Sequence, residues 1–254
     1  MTRLIRAEIM KLSSVRSTWW LAVAVVAFAT LSGVGLLAIP EASEMLGGAA
    51  LQTEVLRAGD PWLFAVVLGA LIATGEHRHG TVVASVLVTP QRWPLLPAKA
   101  VVAAAAGALL TLLAALGTGT ALGIWLASAG EGLALGAGEV VQLVGRAALF
   151  AALMAVVGLG VGEAVRSQPL ALVVLLVGML LVSPLLLAIY PNVGCWLPAG
   201  LELALLPGES GLVTVEGLAG QPPFGALGAA GLLTAYAAVA VGAAAVSLLR
   251  RDAA

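Results

Sequence analysis

Residues 100–128, AVVAAAAGALLTLLAALGTGTALGIWLAS, run for twenty-nine positions without a charged side chain. A helix rising 1.5 Å per residue crosses the hydrocarbon core of a bilayer in about 20 apolar residues, so this stretch spans with turns to spare. The composition around it agrees: 61% of the 254 residues are hydrophobic and 10% charged, with a mean hydropathy of +1.09. Soluble domains carry about 25% charged residues, so the chain reads as an all-α membrane protein.

Working outward, five further segments reach spanning character: 19–39, 61–75, 140–162, 169–190 and 224–249. The segment 61–75 is short, reaching only about 22 Å of a roughly 30 Å core. Asp60 and Pro61 make a good N-cap and first helical position, and the helix is expected to continue past Glu76. Six transmembrane helices place both termini on one side. That side then receives ten of the twelve basic residues, leaving only Arg57 and Arg146 on or near the other. The asymmetry assigns both termini to the cytoplasm. Trp19 and Trp20 at one interface, and Trp62, Trp125 and Trp196 near the other, suit aromatic belts.

Residues 1–18 set Arg6, Glu8, Lys11 and Arg16 around Leu4, Ile5, Ile9, Leu12 and Val15. At helical spacing this is an N-terminal amphipathic helix lying on the cytoplasmic membrane surface, interrupted by Glu8 and Arg16 within its apolar arc. A cleaved signal peptide fits less well, because the following apolar run is too long and lacks an A-x-A site. Residues 40–60 read as an acidic outer loop able to begin with a short surface helix. Gly132 with Gly136, and Gly158 with Gly162, have the spacing that lets helices approach closely, though 31 glycines make such pairs common. Arg146, a turn or two inside the outer end of the fourth span, reads as a side chain snorkelling to the interface.

The outer segment 191–223 is too apolar for an ordinary loop, and short re-entrant helices would satisfy its backbone. Its Gly208-Glu209-Ser210-Gly211 resembles the nucleophile motif of rhomboid intramembrane proteases. A serine nucleophile needs a base, and the only histidines, His77 and His79, fall on the opposite side, so the motif reads as a turn and the chain as no enzyme. The lone Cys195 allows no intrachain disulfide, and a net charge of −1 offers no case for a nucleic-acid partner.

The polar counterpart of the spans is residues 75–99, GEHRHGTVVASVLVTPQRWPLLPAK. Glu76 and His79 have E-x-x-H spacing, but carboxylate metal sites require further copies on neighbouring helices, which the sequence lacks, so no metal site is expected. After Gly80, residues 81–88 form a short apolar element with Thr81 as cap, and Pro90, Pro94 and Pro97 stiffen the return to the third span. An apolar element at a membrane face suits docking on another protein.

Four features in order make the chain resemble a type-2 ATP-binding cassette transporter permease of the compact bacterial six-helix kind. They are the basic segment Arg6 to Arg16 before Trp19, the block Gly75-Glu76-His77-Arg78 with Gly80, Thr81, Pro90, Arg92 and Lys99, the Leu-Pro turns of the outer segment, and the ending Leu249-Arg250-Arg251-Asp252-Ala253. The resemblance implies a membrane subunit that exports an unidentified substrate, pairs with a second copy or a sister permease, and is driven by a separate ATPase subunit. It implies a coupling helix within 76–99 seated on that ATPase. Glu76 and Arg78 would then stabilise the end of the second span, Gly80 and Thr81 start the coupling helix, Val82 and Val86 make its contact, and Pro90, Arg92 and Lys99 carry its return. The chain has no G-x-x-x-x-G-K-[ST] phosphate loop, so ATP and Mg²⁺ are expected in the partner and no cofactor here. An ATP-independent secondary transporter or channel, and a membrane-bound immunity or sensor protein, are the alternatives.

Overall fold

A computed structural model describes residues 2–59, 61–79, 95–206 and 224–251, with residues 3, 40–47, 76–79 and 248–251 described by their backbone alone. The described elements are all helices: α1 (Thr2–Ser14), α2 (Arg16–Leu37), α3 (Pro40–Arg57), α4 (Pro61–His79), α5 (Leu95–Ala129), α6 (Ala137–Val165), α7 (Gln168–Val177), α8 (Ser183–Ile189), α9 (Pro191–Gly194), α10 (Pro198–Leu205) and α11 (Ala226–Arg251). A π-helical turn, Gly178–Val182, joins α7 to α8 into one continuous rod. Six stretches are long and apolar enough to cross a membrane: Arg16–Leu37, Gly48–Gly75, Leu95–Ala129, Ala137–Val165, Gln168–Ile189 and Ala226–Ser247.

The second of these is longer than the 61–75 segment read from hydropathy. The chain reaches it through α3, whose second half is buried and apolar at Leu51 and Val55, and the helix is interrupted at Ala58 and Gly59 before α4 begins at Pro61. Gly59 takes φ +82° against the backbone of Ala29 on α2, where a Cβ would lie 3.0 Å from the Ala29 nitrogen. A side chain there would be strained by the dihedral and blocked by the neighbour. Residues 40–57 are therefore a full helix and not mainly a loop. Its Gln52, 2% exposed, donates from Nε2 to the Gly132 carbonyl at 3.3 Å and accepts from the Ala134 N–H at 2.8 Å, holding the Gly-rich α5–α6 connection.

The bundle is organised around α6. Gly158 and Gly162 press on the backbone of α4 at Val66, Ala70 and Ala73, while Gly69 of α4 presses back on Ala155. Gly107 brings α5 against Ala151, and Gly160 brings α11 against Ala240. Phe150, Met154 and Leu159 fill the space that remains, with Trp62, Leu201 and Leu233 around them. Small residues thus line the helix crossings, and many large apolar ones such as Trp20, Leu116, Ile124, Leu181 and Val239 lie outside. That inverted distribution is expected where the solvent is hydrocarbon, because lipid gives packing no hydrophobic drive and close backbone approach must supply attraction.

Of the two spacing pairs noted in the sequence, only Gly158 and Gly162 make a helix–helix seam. Gly132 has open space around it, and Gly136 precedes α6, where its N–H donates to Glu139 Oε2 at 2.8 Å. In the segment after Tyr190, α10 buries Leu201 and Leu205 in the main core, and the Tyr236 hydroxyl donates to the Trp196 carbonyl at 2.8 Å. Residues 207–223, where a turn is expected at Gly208–Gly211, lie outside the described residues.

Candidate functional site

The polar stretch 75–99 begins on α4 and ends on α5. α4 continues past Gly75 to His79, so the backbone of Glu76 and Arg78 is helical, as expected from the sequence. Residues 80–94, with Gly80, Thr81, Val82, Val86, Pro90 and Arg92, lie outside the described residues, as do the side chains of Glu76, His77, Arg78 and His79. The chain is described again from Leu95. α5 has 35 residues, a rod of about 50 Å that exceeds a roughly 30 Å core, so its first turns have length to emerge from it.

Lys99 lies in those first turns, and its surroundings differ from those of a surface anchor. Its side chain is 5% exposed, and Nζ donates to Glu163 Oε1 at 2.9 Å. Glu163, equally buried, belongs to the last turn of α6. Each residue sits near the end of its helix whose partial charge has its own sign, the cation by the positive N-terminus and the carboxylate by the negative C-terminus. The dipoles therefore oppose both charges, and their mutual attraction in a medium that screens poorly offsets this. The pair ties the start of α5 to the end of α6.

Two further contacts converge there. Arg166 ends α6 in the left-handed conformation, φ 58°, with its N–H on the Gly162 carbonyl at 2.9 Å and its guanidinium donating to the Ser247 carbonyl of α11 at 3.1 Å. Gly162 abuts Ala70 and Ala73 of α4. Both flanks of the 80–94 segment, α4 on one side and α5 on the other, thus rest on the last turns of α6. Lys99 is brought into this junction, whereas Arg6, Glu8, Lys11 and Arg16 belong to a separate one.

That second junction is α1. Glu8, whose place within the apolar arc looked anomalous, is 5% exposed and accepts a 2.7 Å hydrogen bond from Lys11 Nζ. Leu12 joins the cluster of Val25, Leu68 and Leu110, so α1 packs on the bundle. Arg6 and Arg16 are exposed, as are Ile9, Met10 and Val15.

Sequence reasoning missed Glu163, Glu54 and Glu202. Glu54 and Arg57 close α3, and Arg57 lies 3.9 Å from Glu54 and 3.8 Å from Glu202 of α10. A carboxylate in the last turn of a span was the available signal for Glu163, since a buried acid needs a partner cation. Arg146 is half-buried in α6. No group of three metal-ligating side chains occurs among the described residues. The sequence matches no family model and no curated protein.

Proposed function

We propose that the chain is the membrane-spanning permease subunit of an ATP-binding cassette exporter, working as a homodimer or with a sister permease in the lipid bilayer of a bacterial cell membrane. A separate ATPase subunit binds ATP and Mg²⁺, and residues 76–99 take up its movement. The termini lie in the cytoplasm, and α1 rests on the same face as an interfacial helix, consistent with its exposed Ile9, Met10 and Val15 beside Arg6 and Arg16.

The observation that carries this reading is the buried Lys99–Glu163 pair. A segment that transmits force needs stiff roots. The pair fastens the return of residues 80–94 to the central helix, and Gly162 seats α4, the other root, on that helix. Displacing the segment would thus load α6 directly. An ATP-independent transporter would instead place ionisable groups where a substrate crosses, near the middle of the spans. Lys99 and Glu163 lie at helix ends.

The direct test pairs the chain with the ATPase from a neighbouring gene and follows nucleotide-dependent crosslinking from a cysteine placed at Val86, in a Cys195→Ala background. Crosslinking that changes between ATP-bound and nucleotide-free states is expected; its absence in both would sink the coupling role. In the same system Glu76→Ala is expected to lower the stimulation of ATP hydrolysis by the permease several-fold, while Glu44→Ala leaves it unchanged. Equal activities of the two variants would refute the special role of Glu76.

A further inference from the structure

A small cavity lies where the end of α3 and the start of α4 meet α5, α6 and α10. Arg57, Trp62, Thr111 and Glu202 supply its polar lining, with Leu143 and Leu206 among its apolar walls. Trp62 is 8% exposed and its ring is held edge-on against Phe150, centroids 5.4 Å apart at 88°. Its indole N–H makes no hydrogen bond with any described residue. Buried indole N–H groups ordinarily find an acceptor, so this one calls for an explanation.

Arg57 presents the same problem. Its side chain is 7% exposed, and Nη1 also makes no hydrogen bond with a described residue. Glu54 Oε1 stands 3.9 Å from Nη1 and Glu202 Oε1 3.8 Å from Nη2, within ion-pair range but too far for the 2.7–3.2 Å of a direct bond. A polar separation of that size is where a bridging oxygen fits. Thr111 already donates to the Gly107 carbonyl at 3.3 Å, so its hydroxyl offers lone pairs to the cavity.

Size and charge narrow the occupant. The space open to the centre of a water molecule is ≈ 20 Å³, against the roughly 10–15 Å³ that one water requires. Two carboxylates around one guanidinium repel an anion. We infer that this cavity is a binding site for one neutral acceptor oxygen, which takes hydrogen bonds from Trp62 Nε1 and Arg57 Nη1. That oxygen belongs either to a resident water or to the ester carbonyl of a lipid inserted between the helices.

The test follows the indole N–H resonances of the full chain, with ¹⁵N-labelled tryptophan, in nanodiscs of ester-linked and of ether-linked phospholipid. Trp62 is assigned by Trp62→Phe or, should that variant not fold, by elimination with Phe variants of the other five tryptophans. A hydrogen-bonded, downfield Trp62 proton in both lipids identifies water; one seen only in ester-linked lipid identifies the lipid carbonyl. Arg57→Lys, which moves one of the two donors, is expected to shift the Trp62 resonance more than Arg146→Lys does. A Trp62 proton at the position of an unbonded indole in both lipids overturns the inference, as does a resonance indifferent to Arg57→Lys.

Discussion

Gly158→Leu is expected to abolish recovery of folded, monodisperse protein. A Cβ at position 158 would stand 3.1 Å from the Val66 Cα and closer still to its carbonyl, and both are backbone atoms that cannot rotate away. The same crossing is closed by Gly69, whose Cβ would meet the Leu159 nitrogen at 2.9 Å, and by Gly162, whose Cβ would meet the Ala73 Cβ at 2.8 Å. α4 and α6 would have to separate along their whole contact. Overpacking a core by a methylene or two costs about 1–3 kcal/mol, and four added carbons at a backbone contact exceed that. Lipid provides no compensating drive to re-close the gap. Gly145→Leu is the control, since Gly145 lies on an exposed face of the same helix with nothing nearby. Size-exclusion profiles after mild detergent extraction decide the matter: a Gly158→Leu peak like that of Gly145→Leu would show that the seam does not hold the bundle.

The second large effect belongs to the buried ion pair. Lys99→Ala or Glu163→Ala alone is expected to cost about 3–5 kcal/mol, because each removes one half of a buried, hydrogen-bonded ion pair and leaves the other half buried. The double variant Lys99→Met, Glu163→Leu is expected to recover most of that loss, since apolar groups of similar volume often replace a buried pair at little cost. The reversed pair, Lys99→Glu with Glu163→Lys, puts each charge at the helix end whose partial charge attracts it, and it too is expected to exceed either single variant in stability. Thermal unfolding of the purified chain orders the four proteins. If the single and double variants unfold together, Lys99 and Glu163 do not stabilise each other.

The apolar double variant also separates two roles. Stable protein that no longer stimulates a partner ATPase would make the pair part of force transmission, while stable and active protein would confine it to folding.

How far the fold was legible depended on the range of each interaction. The spans depend on local hydropathy, and 100–128 declared itself without any neighbour. α4 had a readable start at Pro61, where proline suits the first helical position. The continuation of the second span backward through α3 was hidden, because Gln52, Glu54 and Arg57 look like loop residues until their partners are known. Those partners lie far away in sequence, Gly132 for Gln52 and Glu202 for Arg57. Lys99 showed the same limit: its charge was conspicuous, but its partner is 64 residues away. The Gly158 and Gly162 pair was visible as a spacing and indistinguishable from Gly132 and Gly136. Only the crossing of α4 separates a seam from a connection. Glu8 looked like a flaw in an apolar arc, and Lys11 three residues on is its partner within that helix.

The central position of α6 bears on how the molecule is made. α6 is the fourth candidate span in order of synthesis, and α4 and α5, which lean on it, precede it. At about 5–20 residues per second, the interval between the emergence of Pro61 and that of Val165 is on the order of 5–20 s. For that time the small-residue faces of α4 and α5 wait in the bilayer without the helix they fit, and Lys99 waits without Glu163. Consolidation therefore begins late, when α6 inserts, and is completed by α10 and α11, whose Leu201 and Leu233 join the same core. Until residue 165 is synthesised, the chain lacks the helix on which its earlier spans pack.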